Sequence, residues 1–364
     1  MDRTMTPNAP QPITEVATTS EAELLDPVPG RRMDLPGFDP EFVDFPDFIV
    51  RITDRIWHQR RVEMCRDYYT QDCPIHTLAG DVIGVEAVIA NTHATLEAFP
   101  DRRLEPDNVV WSDDGSDGFY SSHLITSPMT NLGPSEFGPA TGKKLRVITI
   151  ADCACRENRI YEEWLARDYA GMALQLGYEP RSVAIAQAQA DAASGFSLIA
   201  HHAQHHRSVS DQGIRTNDLP MRPEDHPRAF AEHVLGSIWG SGDPEAYAKA
   251  YDFRVRATYP SLRDLYGFKD VMSLHSELFS AIPDAVIALE HCAHVPYLGG
   301  VGRDVAARWA LAGTHLGDGL YGQPTGQKVL IMGITHWRVI KGRIVQEVTI
   351  WDDIAVHRQL VSER

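Results

Sequence analysis

The chain has 364 residues, 43% hydrophobic and 23% charged, with a formal net charge of −16, which is ordinary globular composition with apolar material for two cores. Such an acid excess repels nucleic acid and anionic membranes, and the densest basic stretch, 55–66, is interleaved with Glu63 as a solvated helix face. Five cysteines without paired or zinc-type spacing, and no apolar run of about 18 residues, argue against a disulfide scaffold, a metal site, a signal peptide or a membrane span, so a cytoplasmic location is expected.

In chain order, residues 1–38 are rich in Pro and polar residues and predict a flexible or surface-draped arm. A first domain spans 39–177. It opens with apolar residues at helical spacing (Phe45, Phe48, Ile49, Ile52, Ile56). A short helix at 62–69 and a third helix at 84–99, ending at Pro100–Asp101, follow. Strands are then predicted at 108–111, 118–126, 144–155 and 159–164, the last two joined by a tight turn at Glu157–Asn158. Residues 178–224 form a connector, Ala-rich and helical at first, then polar. A second domain, 225–364, repeats the order: helices at 230–239, 244–251 and 267–282, then strands at 286–291, 305–313, 329–339 and 343–351. Helices followed by an antiparallel meander predict an α+β domain whose curved sheet closes into a cone around a small-molecule cavity.

The two halves repeat one another at an offset of 182 to 184 residues. Trp57 returns as Trp239, Pro100–Asp101 as Pro283–Asp284, Thr141–Gly142 as Thr325–Gly326, Arg159–Ile160 as Arg343–Ile344, Asp168 as Asp352 and Gln175–Leu176 as Gln359–Leu360. Self-similarity at this period marks a duplicated domain rather than a solenoid. The two cones are expected to pack sheet to sheet as an internal pseudo-dimer, with a homo-oligomer also possible.

The second half contains Arg308–Trp309, Gly313–Thr314–His315–Leu316–Gly317, Pro324–Thr325–Gly326, His336, Glu347 and Asp352 in an order that resembles the SnoaL-like polyketide cyclase family of the nuclear-transport-factor-two-like superfamily. The resemblance covers both halves and implies two tandem cone-shaped domains of N-terminal helices packed on a curved sheet. It also implies cofactor-independent acid–base chemistry on a hydrophobic or carbonyl-containing small molecule, such as aldol-type cyclisation, dehydration or lyase chemistry. In that family an aspartate near the end of the last strand is the acid–base group and a histidine assists. By motif these are Asp168 and Asp352, with Asp353 leaving the register open by one, and His336, whose counterpart in the first half is Asp152.

A carboxylate inside an apolar cone is suited to taking a proton beside a carbonyl, because desolvation raises its pKa toward neutrality. Asp352, His336, His315 and Asp168 are therefore the catalytic candidates, with the second domain as the principal site. His76, Tyr259, Trp309, Asp152, His123 and Tyr69 are the substrate-binding candidates, His76 and Tyr259 being taken as equivalent positions. The competing reading of Asp168 and Asp352 is an N-cap for the helix that follows each. Glu163 and Glu347 match across the repeat and read as outward-facing charges. His201, His202, His205 and His206 read as a solvated helix end, so no metal or cofactor is expected. A non-catalytic binder, and an epoxide hydrolase or isomerase on the same cone, remain as alternatives; the hydrolase needs a convergent Asp–Arg–Asp set that spacing alone does not assemble.

Overall fold

The computed structural model describes residues 14–27, 30–214 and 227–361; the start of the expected arm and the polar end of the connector lie outside them. In the first half, α1 (Glu21–Leu25) precedes α2 (Phe45–Thr53), α3 (Cys65–Tyr68), β1 (Pro74–His76), β2 (Val82–Ile83) and α4 (Val85–Ala98). The long strands β3 (Glu105–Asp113), β4 (Gly118–Thr130), β5 (Lys144–Arg156) and β6 (Arg159–Arg167) follow, and α5 (Tyr169–Leu176) closes the domain. The connector forms α6 (Pro180–Ser194) and α7 (Leu198–Gln212). The second half supplies α8 (Pro227–His233), α9 (Pro244–Ala250), β7 (Tyr251–Tyr259), β8 (Arg263–Tyr266), α10 (Phe268–Ala281), β9 (Val286–Tyr297), β10 (Gly302–Thr314), β11 (Lys328–Ile340), β12 (Arg343–Ile350) and α11 (Asp353–Val361).

Local chemistry explains the elements. Asp44 caps α2 by accepting from the Asp47 amide at 2.9 Å, with Pro46 in the first turn, where its missing N–H is harmless. Gly84 and Gly267 lead into α4 and α10 with φ of 88° and 81°, a left-handed conformation that a side chain resists. Positive φ at Glu157–Asn158 and at Lys341–Gly342 makes the two-residue turns that match strand twist.

Each half carries one six-stranded sheet, in the orders β2-β1-β6-β5-β4-β3 and β8-β7-β12-β11-β10-β9. The four long strands of each form the expected meander. The short leading hairpin, absent from the strand assignment above, then pairs in parallel with the last strand, β1 with β6 and β7 with β12, so each sheet is mixed. At three and two residues, β1 and β2 are too short for alternation to declare them.

The sheets pack face to face through Leu124, Ile150 and Ala166 of one and Ile334, Val348 and Ile350 of the other. Polar links cross the same interface: the Asn108 amide donates to Asp304 at 2.8 Å, and Ser122 Oγ lies 2.8 Å from His336 Nε2.

Two expectations need correction. Over its described residues the arm is pinned rather than loose: Val16 and Leu24 are buried in the first core, Thr14 bonds Asp44, and the Glu15 carboxylate accepts the Gly299 amide of the second domain. Three of the four connector histidines are held by the protein instead of forming a solvated helix end, and His201 is exposed. His202 Nε2 meets the Leu78 carbonyl at 2.8 Å, His205 pairs with Glu290, and His206 reaches the Gly313 carbonyl at 3.1 Å, so this helix is stitched to both domains. No group of three or more potential ligands could hold a metal, and no helix is long and apolar enough to cross a membrane, among the described residues.

Candidate functional site

The first cone encloses a cavity of about 1140 Å³. Its floor follows from strand alternation: Thr149, Ala151 and Cys153 of β5 and Glu163, Leu165 and Arg167 of β6 point inward, while Asp152, Glu162 and Trp164 point out. The rim includes Phe196 and His201 from the connector. The connector bend is held there by Arg358 of α11, which pairs with Asp191 and donates to the Ala79 carbonyl.

Within this largely apolar space, Tyr69 OH donates to Glu163 Oε2 at 3.0 Å. Glu163 is buried, and desolvation pushes its carboxyl up to about 7, against the opposing Tyr69 hydrogen bond and the Arg167 charge. His123 on β4 also faces the cavity; burial holds it neutral, with its pKa down to about 3, and its Nε2 has no hydrogen-bond partner. Along the sheet it stands two strands from Glu163 and one inward-facing step along, about 12 Å between backbones. Thr149 Oγ1, Arg102 Nε and Arg167 Nε are likewise buried without partners, and all three residues line the same cavity. Buried polar atoms are normally satisfied, so a cluster of four orphans around one space marks where a polar ligand or water belongs.

The second cone is built on the same plan and filled with rings. Strand register fixes an offset of 184 residues between β4–β6 and β10–β12, so Ile125 corresponds to Trp309, Cys153 to Trp337 and Arg167 to Trp351. These three indoles are 0%, 0% and 1% exposed, and Trp239 packs edge-on to Trp309 at 5.3 Å. Thr149 becomes Gly333, where an added Cβ would come within 2.3 Å of the Trp309 ring. The tyrosine–glutamate pair recurs: Tyr251 OH donates to Glu347 Oε2 at 2.8 Å. Here, however, Glu347 also accepts from Tyr259 and Thr349, and Tyr259 meets His275, so the carboxylate is enclosed in protein hydrogen bonds. The inward positions of the second domain, which the sequence marks as the principal site, are thus occupied by rings and protein hydrogen bonds.

The structure separates the sequence candidates. Tyr69 and His123 lie in the cavity, whereas Trp309 fills the second core. Asp168 and Asp352 do not line the cavity. Asp168 accepts from the Gly171 amide at 2.8 Å and the Ser261 amide at 2.8 Å, and Asp352 from the Ala355 amide at 3.0 Å, so both act as helix caps. Desolvation raises both carboxyls, to about 6 and about 7, because caps here are buried between the domains. His336 and Asp152 face the opposite sheet, not a cone. His336 is bound by Ser122, and Asp152 lies 3.6 Å from Arg308, which also pairs with Glu290 at 3.2 Å. This carboxylate–arginine–carboxylate set sits between the sheets, away from the cavity that epoxide hydrolysis would require. His315 organises its own loop through Thr325 at 3.2 Å. His76 turns outward to Asp81 and Glu162, both at 3.1 Å, since Ile75 and Thr77 take the inward positions. Register pairs His76 with Trp164 and Thr258 with Val348, so the counterpart of His76 is Thr258, and Tyr259 corresponds to Thr77. A one-residue slip moves a strand residue to the other face. Glu163, Glu347 and Arg102 face inward, against the outward reading of the two glutamates, and the matched Tyr69–Glu163 and Tyr251–Glu347 positions are the sequence signal for this.

The SnoaL-like polyketide cyclase family matches the sequence twice, over residues 47–176 and 231–360. Among solved structures, a protein described as a SnoaL-like polyketide cyclase from Jannaschia sp. CCS1 is 18% identical, with a TM-score of 0.33, covering 41% of this chain and all of its own. TsrD from Streptomyces laurentii is 20% identical (TM-score 0.32), covering 38% of this chain and 98% of its own. A SnoaL-like polyketide cyclase from Agrobacterium tumefaciens strain C58 is 17% identical (TM-score 0.31), covering 36% of this chain and 96% of its own. No curated protein matches the chain.

Proposed function

The chain belongs to the SnoaL-like polyketide cyclase family, and from that premise we propose that its first domain is a cofactor-independent acid–base site for a hydrophobic, carbonyl-containing small molecule. The observation that carries this reading is the Tyr69–Glu163 pair inside the cavity. A carboxylate with a pKa near neutrality is half ionised at pH 7, so it is a competent base and, once protonated, a competent acid. Glu163 takes the proton from the carbon beside the carbonyl, the electron pair moves onto oxygen as an enolate, and the same proton is available to the product. Neutral His123, at the far side of the cavity, offers its free Nε2 as a hydrogen-bonding group toward a substrate oxygen. The enolate can then add to a second carbonyl in an aldol-type cyclisation, or expel a leaving group in a dehydration or lyase step.

The test is hydrogen–deuterium exchange in D2O, followed by NMR, on a panel of aromatic β-diketones and β-keto esters. The wild type should accelerate exchange at the carbon between the carbonyls, and Glu163→Gln should slow it by about 10²–10⁴-fold, the usual contribution of a positioned base. Exchange at the buffer rate with every panel member, or an unaffected Glu163→Gln, would reject the assignment.

A further inference from the structure

We propose that the first-domain cavity contains an anion subsite, formed by Arg102 and Arg167, which selects hydrophobic substrates bearing a single carboxylate. The inference rests on the assignment of the first cavity as the working site and deepens it to a substrate class. Arg102 follows the Pro100–Asp101 end of α4, and its side chain is 2% exposed on the cavity wall. Its contacts are a 3.5 Å approach to Ser127 Oγ and the face of Trp57, 4.8 Å from the guanidinium, while Nε has no partner. Arg167, at the inner end of β6, donates to Tyr169 OH at 3.0 Å and also leaves Nε unpartnered. Neither guanidinium has a carboxylate within ion-pair distance among the described residues.

A buried guanidinium without a counter-ion is among the costliest groups a fold can hold, and two beside one another repel as well. Burial and the Arg167 charge both push the Arg102 pKa down, the direction a missing anion produces. The repeat supplies an internal control. Asp101 accepts the Thr130 amide at 2.7 Å and Asp284 accepts the Thr314 amide at 2.7 Å, so the two segments superpose, and Arg102 corresponds to Ala285. Arg167 corresponds to Trp351. Where the cone is filled, both arginines are gone; where it is open, both are present.

The occupant's chemistry follows from the surroundings. Arginine forks match a planar carboxylate in bidentate geometry. The Arg167 charge acts on Glu136 and Glu163, whereas no carboxylate acts on Arg102, so one positive charge is left to be matched by one carboxylate. Ile49, Ile52, Ile56, Ile75, Val88 and Leu165 give the rest of the wall a mainly apolar stretch, so the carboxylate belongs to a largely hydrophobic body. Arg167 stands two inward positions from Glu163 on β6, about 14 Å along the backbone, and its long side chain closes much of that span. The carboxylate would thus anchor one end of the molecule while Glu163 works on a carbon nearer the middle.

The test compares anthracene-2-carboxylate with its methyl ester by isothermal titration on the full chain. The wild type should bind the acid at least tenfold more tightly than the ester. Arg102→Met and, separately, Arg167→Met should erase that preference while leaving ester binding in place; either variant remaining folded suffices. Equal binding of acid and ester by the wild type, or an unchanged preference in both variants, overturns the proposal. Weakening of acid binding, but not of ester binding, by excess inorganic phosphate would support the same anion subsite. Glu163→Gln should keep the acid preference, so failure of the catalytic assignment and failure of the anion subsite give different results.

Discussion

The two cones share a strand order, a helix order and a buried tyrosine–glutamate pair, yet one encloses a cavity and the other is packed with four indoles. The difference comes from a few inward positions where Ile125, Cys153, Arg167 and Thr77 on one side stand against Trp309, Trp337, Trp351 and Tyr259 on the other. Register is the same across β4–β6 and β10–β12, so at these positions side-chain volume decides whether the space is cavity or core. The filled copy also ties the connector and the opposite sheet to a rigid body.

The sharpest way to break the comparison is to remove the same carboxylate from each half. Glu163→Gln should cut carbon-acid exchange by about 10²–10⁴-fold with little loss of stability. Glu347→Gln should leave exchange untouched, and cost about 1–3 kcal/mol in urea unfolding, because an amide cannot accept from all three hydroxyls that meet this carboxylate. A reversed pattern would place the working site in the second cone.

Volume is the next lever. Trp337→Cys, which copies the first half into the second, should cost about 3–5 kcal/mol by opening a large cavity. The reciprocal Ile125→Trp/Cys153→Trp pair should abolish ligand binding while costing about 1–3 kcal/mol through overpacking. Gly333→Thr should destabilise through collision with the Trp309 ring, although threonine stands comfortably at the matching Thr149.

A smaller effect separates the halves by pH. Glu163 works as a base only when ionised, so the exchange rate should rise with pH, about tenfold per unit below 7, and level above it. The limb should vanish in Glu163→Gln and persist in Glu347→Gln.

Much of this arrangement is legible without coordinates, and the failures have identifiable causes. The duplication, the meander and the tight turns follow from spacing and turn residues. Tyr251–Tyr259 alternates as a strand does, and its register sets Tyr259 against Thr77, one residue from the His76 that a constant offset suggests. Glu163 and Glu347 read as surface charges because strand alternation does not say which face is the cavity, and here both faces of each sheet are covered. The rings at Trp309, Trp337 and Trp351 against Ile125, Cys153 and Arg167 at the matching positions are the sequence sign that the second cone is full. His336 lies on an apolar face, as alternation implies, but that face belongs to the interface between sheets, which only the packing reveals.

The last contrast concerns Asp168 and Asp352, where a catalytic carboxylate and a helix cap look alike in sequence: each is an aspartate between a strand and a helix. Asparagine distinguishes them, because its side-chain oxygen still accepts from the helix amides but cannot act as a base. Asp168→Asn should therefore leave exchange within about threefold of wild type, and Asp168→Ala or Asp352→Ala should lose about 1 kcal/mol of stability. For Asp352 the sign of the pH effect is fixed. Its folded pKa, about 7, lies above the ordinary value of 3.8, so its contribution is fully present at low pH and is lost as pH rises through about 7, where the buried carboxyl must ionise. Asp352→Asn carries no such penalty. Urea unfolding at pH 5 and pH 8 should show the variant gaining on wild type as pH rises; a gain toward low pH instead would mean that Asp352 is held as a stabilised carboxylate.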